Sequence, residues 1–245
     1  VIESNPFRTA AIRPGSIPFR FVGKAFDRSI NDLASDVRDL TVCQIVGQHG
    51  TGKSTLVKSL LPSLRDAFAD VAYLQPLDVS PLRLGSSSWT HRWIHAYRSL
   101  SDAVSTARRL AGGGLLIVDG AEQLSRLGRI KLYRATRQRN QSLLMTTHQP
   151  FRSVPVLYRT EVSLSDLATL TLERVSDSSE DVQRLVGERL RQQQQQPQGN
   201  PALNVRDFWF DLYDEVQPVC RSARGTVDQS VTTSAGRHRE VIRGY

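Results

Sequence analysis

The sequence predicts an α/β protein, a three-layer sandwich in which helices cover both faces of a mainly parallel, five-stranded sheet. Three observations carry this. Apolar strand-like runs alternate with helical stretches from residue 42 to residue 158, the alternation that builds parallel sheets. Leu115-Leu116-Ile117-Val118 is apolar throughout, as a strand buried on both faces must be. The first run, Val42 to Val46, leads straight into Gly47-Gln48-His49-Gly50-Thr51-Gly52-Lys53-Ser54, a glycine-rich turn that opens a helix.

The elements follow in order. Residues 1–26 form an N-terminal arm dense in proline (Asn5-Pro6-Phe7, Arg13-Pro14-Gly15, Ile17-Pro18-Phe19), which excludes a helix. Ile30, Leu33, Ala34 and Val37 recur at i, i+3, i+4, i+7 and predict a short amphipathic helix over 27–39. Strands are expected at 42–46, 71–74, 115–118 and 142–146, with a fifth at 154–158 whose Pro155 suits an edge. Between them lie helices at 53–61, 93–111 and 121–139, the second striped by Trp93, Tyr97, Leu100, Val104, Ala107 and Ala111. Two closing helices are expected at 164–175 and 179–191, completing a domain over 27–191. Gln192–Gln196 reads as a linker, residues 200–217 as one short helix, and 221–245 as a polar, arginine-rich, disordered tail.

Composition bounds the class. With 39% hydrophobic residues the chain can build a core. No apolar run approaches the ~18 residues that span a bilayer, and residues 1–6 lack the pattern of a secretory signal. Cys43 and Cys220 lack metal-ligand spacing and suggest no disulfide framework, so a reduced, cytoplasmic setting fits. The net charge of +8 attracts polyanions without specifying one.

The glycine-rich turn satisfies G-x-x-x-x-G-K-[ST] in full. Its glycines let successive N–H groups converge on phosphate oxygens, and the following helix aims its positive end at the same point. Gly47, Gln48, His49, Gly50, Thr51, Gly52, Lys53, Ser54 and Thr55 are therefore the candidate phosphate-binding residues of a nucleoside triphosphate, ATP with Mg²⁺. Lys53 would neutralise the β- and γ-phosphates, and the Ser54 hydroxyl would ligate Mg²⁺. The apolar strand 115–118 ends in Asp119-Gly120-Ala121-Glu122, and Asp119 is the second candidate for the Mg²⁺ shell.

These two motifs, with an extra strand between them, resemble the additional-strand class of P-loop ATPases, and within it the AAA-like and STAND-like modules. The resemblance covers residues 40–160. It implies the sheet order 5-1-4-3-2, with the phosphate-loop strand central. Many AAA-like ATPases have Glu directly after the strand-end Asp; here that place is Gly120. STAND-type modules often show Asp-Gly and a further acid, which makes Glu122 the candidate general base beside Lys53 and Asp119. The resemblance also implies a polar contact to the γ-phosphate from Thr147 or His148, and an adenine border from the arm at Arg13 and Ile17.

In the helix 121–139 a 100° step places Arg126, Arg129, Arg134 and Arg137 on one face and Leu124, Leu127, Leu132 and Ala135 on the core-facing side. The basic face is a solvated surface, a nucleic-acid contact, or an interface in a homo-oligomer that delivers an arginine to a neighbour's nucleotide. N-K-x-D and L-S-G-G-Q are absent, and His91 and His95 lack the Glu of a zinc motif. Three functions remain: an ATPase that couples hydrolysis to a conformational change, a poorly hydrolysing nucleotide switch or scaffold, and a small-molecule kinase.

Overall fold

The structure is a computed structural model that describes residues 4–22, 28–76, 100–195 and 203–235, the last with side chains to residue 221. The chain divides into two compact units, Ile17–Glu161 and Val1–Ser16 with Val162–Tyr245. The expected domain of 27–191 thus differs from these units at both ends. The closing helices find their apolar partners in the C-terminal helix and the N-terminal arm, whereas residues 17–22 stay with the sheet.

In the unit Ile17–Glu161, five strands run parallel: β1 (Val42–Gly47), β2 (Val71–Leu74), β3 (Leu115–Asp119), β4 (Ser142–Thr147) and β5 (Val156–Thr160). The order is β2-β3-β4-β1-β5, which is 5-1-4-3-2 read from the other edge. β5 is an edge strand that starts just after Pro155, whose carbonyl still accepts from the Gln44 N–H of β1 at 3.0 Å.

Alternation along the central strands feeds two cores. Cys43, Ile45, Leu115, Ile117 and Leu144 pack with Leu33 and Val37 of α2 (Ile30–Leu40) and Leu56, Leu60 and Leu64 of α3 (Lys53–Ala67). Leu116, Val118, Leu143 and Met145 meet Ala103 and Ala107 of α4, a helix over 100–109, with Leu110 just beyond it, and Leu132 of α5 (Arg126–Gln138). α2 begins with a capping box between Ser29 and Asp32. Trp93 and Tyr97 of the expected stripe, and His91 and His95, lie outside the described residues.

The stretch 121–139 is not one helix. Ala121–Gln123 is a short 3₁₀ turn, and α5 starts afresh at Arg126, where the Ser125 side chain caps the Gly128 N–H. The restart rotates the helix relative to the expected phase. Gly128, Leu132 and Thr136 face the core, whereas Leu127 is 72% exposed. Leu124 is buried, but in the turn before the helix. Arg129 leaves the basic face: its guanidinium donates to Leu124 O at 2.6 Å and lies 4.1 Å from the centre of the Phe151 ring. The exposed face carries Arg126, Arg134 and Arg137 with bare Leu127, Ile130 and Tyr133.

The helical unit has α1 (Thr9–Ile12), α6 (Leu164–Arg174), α7 (Glu180–Gln195) and α8 (Val205–Ala235). The arm therefore contains one helical turn between its prolines, where four residues free of proline can close it. Asn5 donates to Tyr213 O and to the Gln217 side chain, Phe7 is fully buried beside Trp209, and Arg174 donates to Pro6 O and Ala11 O. The glutamine run continues α7 to Gln195. The final helix extends through the segment expected to be disordered as far as Ala235, since Val205, Phe208, Leu212, Val216 and Cys220 hold its first turns in place. No helix among the described residues is long and apolar enough to cross a membrane.

Candidate functional site

The glycine-rich loop sits where β1 ends and α3 begins; β1 is an interior strand between β4 and the edge strand β5, one place off the centre that the resemblance implied. Gly50 and Gly52 take φ of +71° and +94°, left-handed values that suit glycine. Gly47 is required for a different reason: a Cβ there would collide with Thr160 Oγ1 and lie 2.7 Å from Thr51 Oγ1. Thr51 in turn bonds Thr160 across 2.7 Å and donates to Gln48 O at 2.9 Å, which fixes the loop to the edge strand β5. Thr160 had no signal in the sequence, because its role depends on β5 lying beside β1.

Lys53 is 9% exposed and folds back over the loop, donating from Nζ to Gly47 O at 2.7 Å and Gln48 O at 2.8 Å. The lysine therefore already lies along the concave side of the backbone. Ser54 and Thr55 follow in the first turn of α3, both half-buried. Gln48 and His49 are exposed. Phe19 borders the loop, with Cε2 3.2 Å from the place of a Cβ on Gly52, and its N–H is tied to Ser59 of α3. Of the two arm residues expected beside the base, Ile17 belongs to this unit and Arg13 to the helical one.

Asp119 ends β3 opposite Thr146 of β4. It is 5% exposed, and each of its oxygens accepts a hydroxyl: Tyr73 from β2 at 2.6 Å and Thr146 at 2.7 Å. Burial, and then the bond to Asp119, raise the Tyr73 phenol far above its ordinary range, so it stays a donor. Lys58 Nζ lies 3.5 Å from the centre of the Tyr73 ring. Thr146 also accepts from Gly120 N, so one hydroxyl joins strand end, turn and carboxylate. Neither Tyr73 nor Thr146 was singled out in the sequence; the parallel register brings both to Asp119.

Glu122 lies on the 3₁₀ turn after β3. Burial pushes its carboxyl above the ordinary range. Its own backbone N–H, Lys53 and His49 pull the other way, and the Asp119 charge adds to the rise. Lys53, His49, Asp119 and Glu122 thus share one electrostatic environment. His148 Nε2 lies 3.2 Å from Glu122 Oε1, an ion pair when the imidazole is protonated, and its ring packs against that of His49. Thr147, by contrast, is fully buried and donates to Gln44 Oε1 at 3.3 Å, so its hydroxyl is engaged in the sheet while His148 reaches Glu122.

No protein-family model and no curated protein matches the chain. Solved structures do. A DNA replication initiation factor is 12% identical with a TM-score of 0.51, over 85% of this chain and 66% of that one. AMPPCP-bound DnaA from Aquifex aeolicus is 12% identical (TM-score 0.47, 98% of this chain, 76% of that one). Cdc6p from Pyrobaculum aerophilum is 16% identical (TM-score 0.46, 84% and 64%). The chain spans about two thirds of the length of the first of these. In this chain the glycine loop follows the interior strand β1, and Asp119 ends β3, one strand beyond the neighbouring β4. The fold is that of an AAA-like P-loop NTPase. In this AAA-like fold the loop, the strand-end acid and the turn carrying Glu122 all lie at the carboxyl edge of the parallel sheet, where open α/β sheets place their ligands.

Proposed function

We propose that the sheet unit binds ATP with Mg²⁺ at Gly47–Ser54 and hydrolyses it, coupling the reaction to a conformational change. The observation that carries this is the buried Lys53 lying along a left-handed glycine loop at a helix start, acting with Asp119 on the charge of Glu122. The residues fit the ligand. The loop N–H groups, Thr55 and the α3 terminus suit phosphate oxygens. Ser54 and the doubly hydrogen-bonded Asp119 suit a hard cation and its waters. Bound Mg²⁺ would neutralise charge on the β- and γ-phosphates.

Lys53 exchanges two backbone carbonyls for phosphate oxygens, a swap from neutral to charged acceptors. Glu122, whose carboxyl burial raises above its ordinary range, orients a water and takes its proton. His148 stands beside it. Isothermal calorimetry tests the reading. Lys53→Ala removes a charge-assisted contact of ~1.5–3 kcal/mol, so ATP affinity should fall roughly tenfold to a hundredfold. Equal affinity in the two proteins refutes it.

One observation favours a slower second mode. The position after Asp119 is Gly120, and Glu122 is engaged by His148, which suits a switch that binds tightly and hydrolyses little. Steady phosphate release with ATP alone separates the two. The exposed α5 face, with three arginines and three bare apolar side chains, supports a macromolecular partner, nucleic acid or a protein surface, a second copy included.

A further inference from the structure

Glu122 is held from one side. Oε1 lies 3.2 Å from His148 Nε2, while Oε2 is buried and has no hydrogen-bond partner. A buried oxygen left so is unfavourable, and the carboxylate keeps its place because its neighbour is itself fixed. His148 directly follows β4, in a loop that Gln44 of β1 secures. The Gln44 amide donates to Phe151 O at 3.0 Å and Val154 O at 2.7 Å, and its oxygen accepts from Phe151 N at 2.9 Å. The His148 ring also packs on His49, with centroids 3.8 Å apart. His49 belongs to the glycine loop itself, between Gln48 and Gly50. An unbroken run of contacts therefore leads from the phosphate loop through two imidazoles to the carboxylate.

We propose that His148 is a positioning residue for Glu122, and that His49 couples this pair to the conformation of the phosphate loop. The proposal rests on the ATP hydrolysis inferred above and deepens it. When the loop backbone turns to face phosphates, His49 moves with it, the imidazole packed on it shifts, and the carboxylate follows. Oε2 is the atom left to receive a proton. As the water oxygen bonds to the γ-phosphorus, its proton passes to Oε2, and the bond from that phosphorus to the bridging oxygen breaks with the electron pair on ADP. Lys53, Asp119, His49 and, more remotely, Arg129 are the other charged or titratable groups that act on Glu122.

The experiment uses the full chain. His148→Ala should lower kcat about tenfold, a fraction of the usual general-base contribution, with ATP affinity within about twofold. His148→Gln, whose amide can reach toward Oε1, should recover most of the loss. His49→Ala should slow turnover less, and the double variant should match His148→Ala alone, since His49 acts through His148. In a Glu122→Gln background neither change should add anything. Unchanged kcat in His148→Ala, or additive effects of the two histidines, overturns the proposal. A second measurement does not need turnover. The side-chain ¹⁵N signal of His148 should move on Glu122→Gln and on saturation with AMPPCP, and the AMPPCP-induced change should vanish in His49→Ala. If it persists there, the coupling is wrong. Failure of the nucleotide reading looks different: Lys53→Ala then binds ATP as well as wild type, while the Glu122-dependent change in His148 is unaffected.

Discussion

Asp119 and Glu122 lie three residues apart on one turn, yet their surroundings separate their roles. Asp119 accepts from two hydroxyls, one on each oxygen. Glu122 has one imidazole partner and an unpaired buried oxygen, and its carboxyl is raised by burial above the usual 4.5. Asp119→Asn should weaken Mg²⁺-dependent turnover, seen as a higher Mg²⁺ requirement in a titration of activity. Glu122→Gln should keep ATP binding and slow single-turnover hydrolysis by ~10²-fold. The sign of the pH effect follows from the raised carboxyl. A base works deprotonated, so wild-type turnover is full above the folded-state pKa and falls as pH drops through it, in a range higher than an ordinary glutamate. The stability effect runs the other way. The folded state holds this proton more tightly than the unfolded one, so the contribution is complete below 4.5 and is lost as pH rises through the folded value. Wild type should therefore lose melting temperature relative to Glu122→Gln as pH rises through that window, read by calorimetric scans.

At the scale of the element, α5 is informative because its phase differs from the one expected. Leu132 is fully buried against Leu116, Val118 and Leu143, whereas Leu127 is open to solvent. Leu132→Ala should cost ~2–5 kcal/mol by loss of burial and cavity formation. Leu127→Ala should stay within about 0.5 kcal/mol. Chemical denaturation distinguishes them, and equal costs would mean that the helix packs in the expected phase. The same rotation changes the test of the basic face. Arg126, Arg134 and Arg137 are exposed, whereas burial and then Arg126 hold the Arg129 guanidinium below its ordinary range. If the face meets a nucleic-acid backbone, replacing the three exposed arginines should reduce the slope of log affinity against log salt. On duplex DNA the reduction is roughly 0.9 for each phosphate that is no longer neutralised. Arg129→Ala should act on the Phe151 loop instead, and leave that slope alone.

At the scale of the molecule, the phosphate loop, Asp119, Glu122 and His148 all belong to the unit Ile17–Glu161. A truncation before Arg221 should therefore keep ATP affinity, and a weaker affinity in calorimetry would contradict this. The helical unit depends on its arm: Phe7 is fully buried beside Trp209, whose indole N–H donates to Thr171 Oγ1 at 3.0 Å. Phe7→Ala should cost that unit ~3–5 kcal/mol, measured by denaturation followed through tryptophan fluorescence.

By itself the sequence determined the sheet and the loop. Strand and helix periods are local properties, and the glycine-lysine-serine pattern needs only its own backbone to form, so strands 42–46, 71–74, 115–118 and 142–146 could be read directly, together with the strand order that the resemblance implied. What surrounds the loop was decided by the tertiary structure. Tyr73 and Thr146 reach Asp119 because β2 and β4 flank β3 in register; Thr160 supports Gly47 because β5 lies beside β1; His148 meets Glu122 and His49 because three separate loops converge at one sheet edge. The phase of α5 was also a tertiary decision, since a cap at Ser125 restarted the helix and an unbroken 100° count from residue 121 could not register the break. Hydrogen bonds between residues tens of positions apart leave no period in the chain, and that is why the supporting hydroxyls and the histidine pair emerged only with the fold.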